Sequence, residues 1–179
     1  MLGQVEVQGK TKADKTSGVW VDGQYVGFVK ELKGDKKILL LPGEHEVEVR
    51  QAGYAAFTQK VSVEPGKKTT IFVHLLRDPS ARLPHGATSE IKLQVTPDRA
   101  AVFVDGTYAG TPQEFGGLGR AMVIAPGKHQ IRIALAGYED FTTEVNLRPK
   151  QKITIKTDLL PGKQTGPTLK NTSEKNTAE

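Results

Sequence analysis

Four histidines, His45, His74, His85 and His129, are the side chains in this chain best suited to metal or acid–base work. His45 and His129 each stand two residues past a Pro-Gly pair, Pro42-Gly43 and Pro126-Gly127. That setting points to service at a turn or strand edge, and His85 has no ligand-type neighbour in sequence. Asp22 and Asp105 are available as acids, but each is followed by a glycine, Gly23 and Gly106. Asp can bond its own backbone and Gly accepts positive φ, so each pair reads as a tight hairpin turn. No G-x-S-x-G, H-E-x-x-H or paired-carboxylate motif is present. Gly116-Gly117-Leu118-Gly119 resembles a phosphate loop only superficially: no Lys-Ser/Thr and no helical pattern follow, so it reads as a flexible loop. With Cys 0 there is no disulfide, thiol nucleophile or cysteine-ligated metal. The expectation is no catalytic residue, no metal and no cofactor. Aromatic rings are the remaining candidates. Trp20, Tyr25, Phe103 and Tyr108 could stack on sugars or prolines if exposed, or else cover the outer face of a sheet or meet a neighbouring domain.

These residues recur as a set. Val19-Trp20-Val21-Asp22-Gly23-Gln24-Tyr25-Val26-Gly27 returns as Val102-Phe103-Val104-Asp105-Gly106-Thr107-Tyr108-Ala109-Gly110. Pro42-Gly43-Glu44-His45 returns as Pro126-Gly127-Lys128-His129, and Ala52-Gly53-Tyr54 as Ala136-Gly137-Tyr138. Order and spacing hold through Val61, Pro65, Lys68, Thr70 and Ile71, which match Val145, Pro149, Lys152, Thr154 and Ile155. Two copies of one domain are therefore present. Because both copies keep the rings, a structural role for them is favoured over ligand stacking.

The apolar period is two throughout. Val47 and Val49 alternate with Glu46, Glu48 and Arg50; Ile131 and Ile133 alternate with Gln130 and Arg132. Such alternation, punctuated by Gly and Pro, predicts an all-β protein of two tandem small antiparallel β-sandwich domains, about seven strands each. The strands are placed near 3–8, 17–21, 24–28, 36–40, 45–51, 57–63 and 69–76, then near 90–95, 101–104, 107–110, 121–125, 129–135, 141–147 and 152–159. Val19, Val21, Val47, Val49, Val61, Ile71 and Val73 should face inward, with their counterparts at 102, 104, 131, 133, 145, 155 and 157. The domains span 1–77 and 90–160. The segment 78–89 reads as a stiff linker, and 161–179 is too poor in large apolar residues to order itself.

The same residues resemble the PEGA domain, a family named for a Pro-Glu-Gly-Ala-like turn and known from bacterial and archaeal surface proteins. The first copy carries the resemblance through Val21-Asp22-Gly23, Gly27, the run Leu41 to Val49, and Gly53-Tyr54. The second carries it through Val104-Asp105-Gly106, Gly110-Thr111-Pro112, Ala125-Pro126-Gly127-Lys128-His129 and Gly137-Tyr138. The first copy departs by having Phe28-Val29 in place of Thr-Pro, and by a longer segment from Gly9 to Ser17. The resemblance implies a small sandwich, often in tandem and usually extracytoplasmic. It implies no catalysis and supplies no agreed catalytic or binding residues.

The net charge of +5 is mostly interleaved with acids. The one local excess is Lys10, Lys12 and Lys15 with Lys30, Lys33, Lys36 and Lys37, which reads as solvated loop charge or as a weak patch for an acidic polymer or surface. A nucleic-acid partner is not expected. No run of about 18 apolar residues exists, so no membrane-spanning helix is expected. Met1 leads straight into strand pattern, and no signal segment is seen. The function expected is a non-enzymatic extracytoplasmic module of the cell envelope or surface, whether periplasmic or on the cell exterior, binding a polymer or protein or acting as a spacer. The alternative is a fibre or pilus-like subunit that self-assembles by strand addition. There Gly3 to Gln8 would complete a neighbour's sheet, although completion of its own is the default.

Overall fold

The computed structural model describes residues 1–81, 86–117 and 120–162. His85, Leu118-Gly119 and the tail from 163 onward lie outside the described residues. The chain divides into two compact units, Met1–Pro79 and a second beginning at Ser80.

The first unit contains β1 (Gly3–Gly9), α1 (Lys12–Thr16), β2 (Gly18–Val21), β3 (Gln24–Phe28), β4 (Ile38–Leu40), β5 (Gly43–Arg50), β6 (Phe57–Val63) and β7 (Lys68–Val73). Single 3-10 turns cover Val29–Glu31 and Gly34–Lys36. The second contains β8 (Ser89–Thr96), β9 (Ala101–Val104), β10 (Thr107–Gly110), α2 (Pro112–Phe115), β11 (Met122–Ile124), β12 (Gly127–Ala134), β13 (Phe141–Leu147) and β14 (Lys152–Asp158). Every expected strand is present, with ends shifted by a few residues. The two short helices are additions, each too brief to leave a 3.6-residue pattern.

Both units have one topology. A four-stranded antiparallel sheet, β3-β2-β5-β6 or β10-β9-β12-β13, accompanies a three-stranded sheet, β4-β1-β7 or β11-β8-β14. The antiparallel expectation needs one amendment: β1 pairs with β7, and β8 with β14, in parallel. These are the first and last strands of their unit. No tight hairpin joins them, so nothing forces opposite directions.

The core of the first unit is Val5 and Val7 from β1, Ile71 and Val73 from β7, and Val19, Val21, Val47, Val49, Val61 and Val63 from the larger sheet. Val29, Leu32, Ile38 and Leu75 close it. All seven inward residues expected there are buried. In the second unit Val102, Ile131 and Ile133 are buried, whereas Val104, Val145, Ile155 and Thr157 are only half-buried. The reason lies at one side of the sandwich. β6 packs on β7, while β13 and β14 approach each other less closely. The buried residues of the second unit also include Leu93, Leu147 and Leu159, which match Val7, Val63 and Leu75, together with Ala100, Ala101 and Leu135.

A buried carboxylate explains the extra segment of the first unit. Thr11 caps α1 and exchanges bonds with Asp14 in a capping box. Asp14 is fully buried. Its Oδ2 accepts from the backbone N–H of Thr11 at 3.1 Å and Lys10 at 3.3 Å, and its Oδ1 from Leu75 at 3.0 Å. In the second unit the N–H of Leu159, the residue matching Leu75, donates instead to the Thr96 carbonyl at 2.9 Å. The inserted turn thus substitutes a side-chain acceptor for a backbone one. Burial alone would raise the Asp14 pKa, but the donors from Leu75, Thr11 and Lys10 hold it below its ordinary 3.8.

Residues 3–8 lie in the middle of their own sheet, between β4 and β7. The donation of this strand to a neighbour is therefore not what the structure displays. Deleting residues 1–8 should remove cooperative unfolding of the first unit, as measured by urea titration of the circular dichroism signal; an intact sandwich after deletion would contradict this arrangement. Ile131→Ala, at a site with 0% exposure, should cost the second unit about 2–5 kcal/mol in the same assay.

Candidate functional site

The Asp-Gly hairpins are held in a way that sequence spacing did not reveal. Asp22 and Asp105 both sit at φ 49°, followed by Gly23 at 84° and Gly106 at 83°. Two successive left-handed residues make the turn that matches the twist of paired strands. An Asp tolerates the first position, and a glycine suits the second because it has no Cβ to clash.

Each turn is then fastened to the start of the long strand beside it. Asp22 donates its N–H to the Glu46 carbonyl at 2.8 Å, and its Oδ1 accepts from the Glu46 N–H at 2.9 Å. The other carboxylate oxygen, Oδ2, lies 2.6 Å from His45 Nδ1. His45 Nε2 lies 2.8 Å from the Leu41 carbonyl, just before the Pro42-Gly43 turn. The second unit repeats this arrangement. Asp105 is bonded to Gln130 through N at 2.9 Å and Oδ1 at 2.8 Å, while His129 Nδ1 lies 2.7 Å from Asp105 Oδ2 and Nε2 lies 2.7 Å from the Ala125 carbonyl. One imidazole therefore joins two turns that are 23 residues apart in sequence at His45 and Asp22.

The electrostatics of the first clamp follow from its acceptors. A carbonyl oxygen and a carboxylate oxygen can only accept, so both His45 nitrogens donate when the ring carries its second proton. The Asp22 carboxylate, helped by the Leu41 carbonyl, raises the His45 pKa above its ordinary 6.5. Burial would raise Asp22, but the His45 imidazole and the Glu46 N–H hold its carboxyl below 3.8. Burial would likewise raise Asp105, and the Gln130 N–H with the His129 ring holds it below 3.8.

His74 takes no part in either clamp. His74 is exposed and lies 3.9 Å from the buried Asp14 carboxylate. Among the described residues no group of three or more His, Asp or Glu side chains is placed to hold a metal ion. Gly116 and Gly117 form a bend after α2.

The four aromatic candidates lie where alternation puts them, but covered. Val19 and Val21 belong to the core and Trp20 does not. Trp20 lies opposite Tyr25 on β3 and Glu48 on β5. The two rings meet at 5.2 Å with a 57° tilt, and Arg50 bridges Glu48 on the same face at 2.6 Å. Phe103 and Tyr108 pair at 6.0 Å and 68°, and the Arg132 guanidinium lies 4.6 Å over the Phe103 ring. Trp20 is 0% exposed, and the other three rings are also buried. Stacking on a sugar needs an open ring face, which the rings do not offer as placed. Their physical role is to seal the outer face of the four-stranded sheet.

The sequence reading missed the Asp–His bond, although a signal for it existed: the Asp-Gly pair and the histidine recur together in both copies. It also missed Glu31 and Glu114, whose carboxyl groups tuck against Gly27 and Gly110. At those strand positions φ is 141° and 143°, which strains any side chain; a Cβ at Gly27 would meet the Glu31 carboxylate, and one at Gly110 would crowd Glu114 and Phe115 at 3.0 Å.

The clamp implies a stability window. The Asp22 contribution is complete above about 3.8 and fades as pH falls through its lowered pKa. The His45 contribution is complete below 6.5 and fades as pH rises through its raised pKa. In a double-mutant cycle of Asp22→Asn and His45→Gln, the coupling should reach about 0.5–1.5 kcal/mol between those limits, since the carboxylate is half-exposed. It should shrink on both sides. Urea unfolding across pH checks this, and a coupling unchanged well above the histidine range would contradict it.

The profile of the PEGA domain family matches residues 14–78 and 88–163. Comparison with curated proteins found no match. Among solved structures, the Bacillus anthracis TIE protein is similar at 16% identity, over 89% of this chain and 34% of that one, with a TM-score of 0.32. The chain thus spans about a third of that protein's length. Both halves of the chain, each built on the same clamped turns and two-sheet sandwich, belong to the PEGA domain family.

Proposed function

We propose that the chain is a non-enzymatic module acting outside the cytoplasm, in which two sandwiches present loops and sheet edges to a cell-envelope polymer or to another protein. The observation that carries this reading is the occupation of its most reactive-looking residues. Both nitrogens of His45 and both carboxylate oxygens of Asp22 are engaged in joining turns. While it carries its second proton, a histidine donating to two acceptors has no lone pair to offer a substrate proton or a metal. The second unit spends Asp105 and His129 in the same contacts. Membership in the PEGA family supports the extracytoplasmic placement. Among the described residues no helix is long and apolar enough to cross a membrane.

Pull-down of the purified chain on peptidoglycan, envelope glycans and a surface-protein fraction tests this, with size-exclusion chromatography and electron microscopy reporting assembly. Retention on one of these fractions is expected. Empty pull-downs, or turnover of a substrate that disappears on Asp22→Ala or Asp105→Ala, would overturn it.

A further inference from the structure

The lysine excess of the first copy is gathered by the fold at one end of its sandwich. Because β1 and β7 run parallel, they leave the sheet at the same end. β1 continues into Lys10 and then α1, which carries Lys12 and Lys15. β7 continues into His74, Leu75, Leu76 and Arg77. β3 arrives at that end too: Phe28 lies opposite Gly18, and the Val29 N–H donates to the Ser17 carbonyl at 3.0 Å. The turns that follow carry Lys30, Lys33, Lys36 and Lys37, and the turn at Val29–Glu31 packs against α1. All seven lysines are exposed. The acids in the same segments offset little of this charge. Asp14 is buried and held by three backbone N–H groups. Glu31 is largely covered, with Lys36 3.9 Å away. Asp35 is the exposed carboxylate there. The matching segments of the second unit are balanced, with Asp98 and Glu114 against Arg99 and Arg120.

Large apolar side chains border this cationic end. Phe72 is 71% exposed and Leu76 65%. Phe72 lies opposite Gln8, two residues before Lys10. In the second unit the strand position opposite Gln94, equivalent to that of Phe72, is Lys156. A soluble polyanion would gain from the lysines but nothing from an exposed phenyl ring. An anionic bilayer uses both, since basic groups are drawn to its headgroups while aromatic and aliphatic side chains enter the layer beneath.

We propose that this end of the first domain is a docking surface for an anionic bilayer, its lysines meeting phosphate headgroups and Phe72 and Leu76 entering the interfacial layer. The inference goes beyond the function proposed above, which leaves the partner's chemistry open, and it does not require that reading. A chain that binds vesicles yet fails every envelope pull-down would sustain this inference and overturn the other.

The test is co-sedimentation of the full chain with vesicles of phosphatidylcholine alone and of phosphatidylcholine mixed with phosphatidylglycerol. Binding is expected only to the mixed vesicles, weakening with added salt. The triple variant Lys10→Glu, Lys12→Glu, Lys15→Glu should bind about tenfold more weakly or worse, with an unchanged melting curve because all three side chains are exposed. The same charge change in the second unit, Lys92→Glu, Lys152→Glu, Lys156→Glu, should leave most binding intact. Phe72→Ser should reduce the binding that survives high salt. No binding to the mixed vesicles, or equal losses from the two triple variants, would overturn the proposal. So would unaltered binding by Phe72→Ser together with full competition by soluble polyphosphate, which would make a soluble polyanion the partner.

Discussion

Each unit is closed by the pairing of its first strand with its last. β1 lies between β4 and β7, and β8 between β11 and β14. The middle strand supplies backbone bonds to both sides, so without it the two flanking strands have no common partner. It also places Val5 and Val7 inward against the larger sheet while Glu6 and Gln8 face out. A domain of this size buries only about 60% of the surface its unfolded chain exposes, and a chain with Cys 0 has no covalent closure to add. The remaining stabilisation must come from keeping the two sheets in register. The bond from Leu75 to Asp14, and from Leu159 to Thr96, extends that closure one step past the strands.

The Asp–His contacts act at the other end of the strands. The hairpin between β2 and β3 needs two left-handed residues, a conformation that disfavours every side chain except those able to bond locally. Asp22 meets that need and then uses its carboxylate to hold the neighbouring strand and the imidazole. The histidine relays the constraint to the carbonyl of Leu41, so the turn before β5 is fixed by the turn after β2. Charge that looks catalytic in one dimension is thereby committed to joining loops. The buried rings follow the same logic. Trp20 and Phe103 face away from the core, but a ring partner across the hairpin and long charged side chains from β5 or β12 cover that face.

The strands were legible because alternation of Val and Ile with charged residues depends on local geometry alone. The turns were legible for a similar reason, since Asp-Gly and Pro-Gly carry their own conformational preference. What escaped was non-local. The parallel partner of β1 is some sixty residues away, and no short-range pattern records which strand will be its neighbour. The Asp22–His45 bond is visible only after β2 and β5 are known to be adjacent. Asp14 carries no local mark within its lysine-rich segment, because nothing in its sequence neighbourhood announces the Leu75 N–H that donates to it. Burial of the aromatics could not be read from alternation, which assigns a face but does not say what covers it.

Two copies built on one plan separate what the fold requires from what a partner could recognise. The clamped turns, Gly27 and Gly110 with their glutamates, the parallel closing pair and the ring pair occur in both units, and each has a structural cause within its own sandwich. None of them distinguishes one copy from the other. The differences gather elsewhere: the inserted Gly9–Ser17 turn, the lysines after β3, and Phe72 in place of Lys156. The inserted turn is held by a buried carboxylate that frees its lysines to face solvent. Phe72 remains exposed although it costs the surface hydration that a lysine would keep. Neither feature improves the core, so whatever the chain recognises specifically is more economically sought at this end of the first domain than in the motifs the copies share.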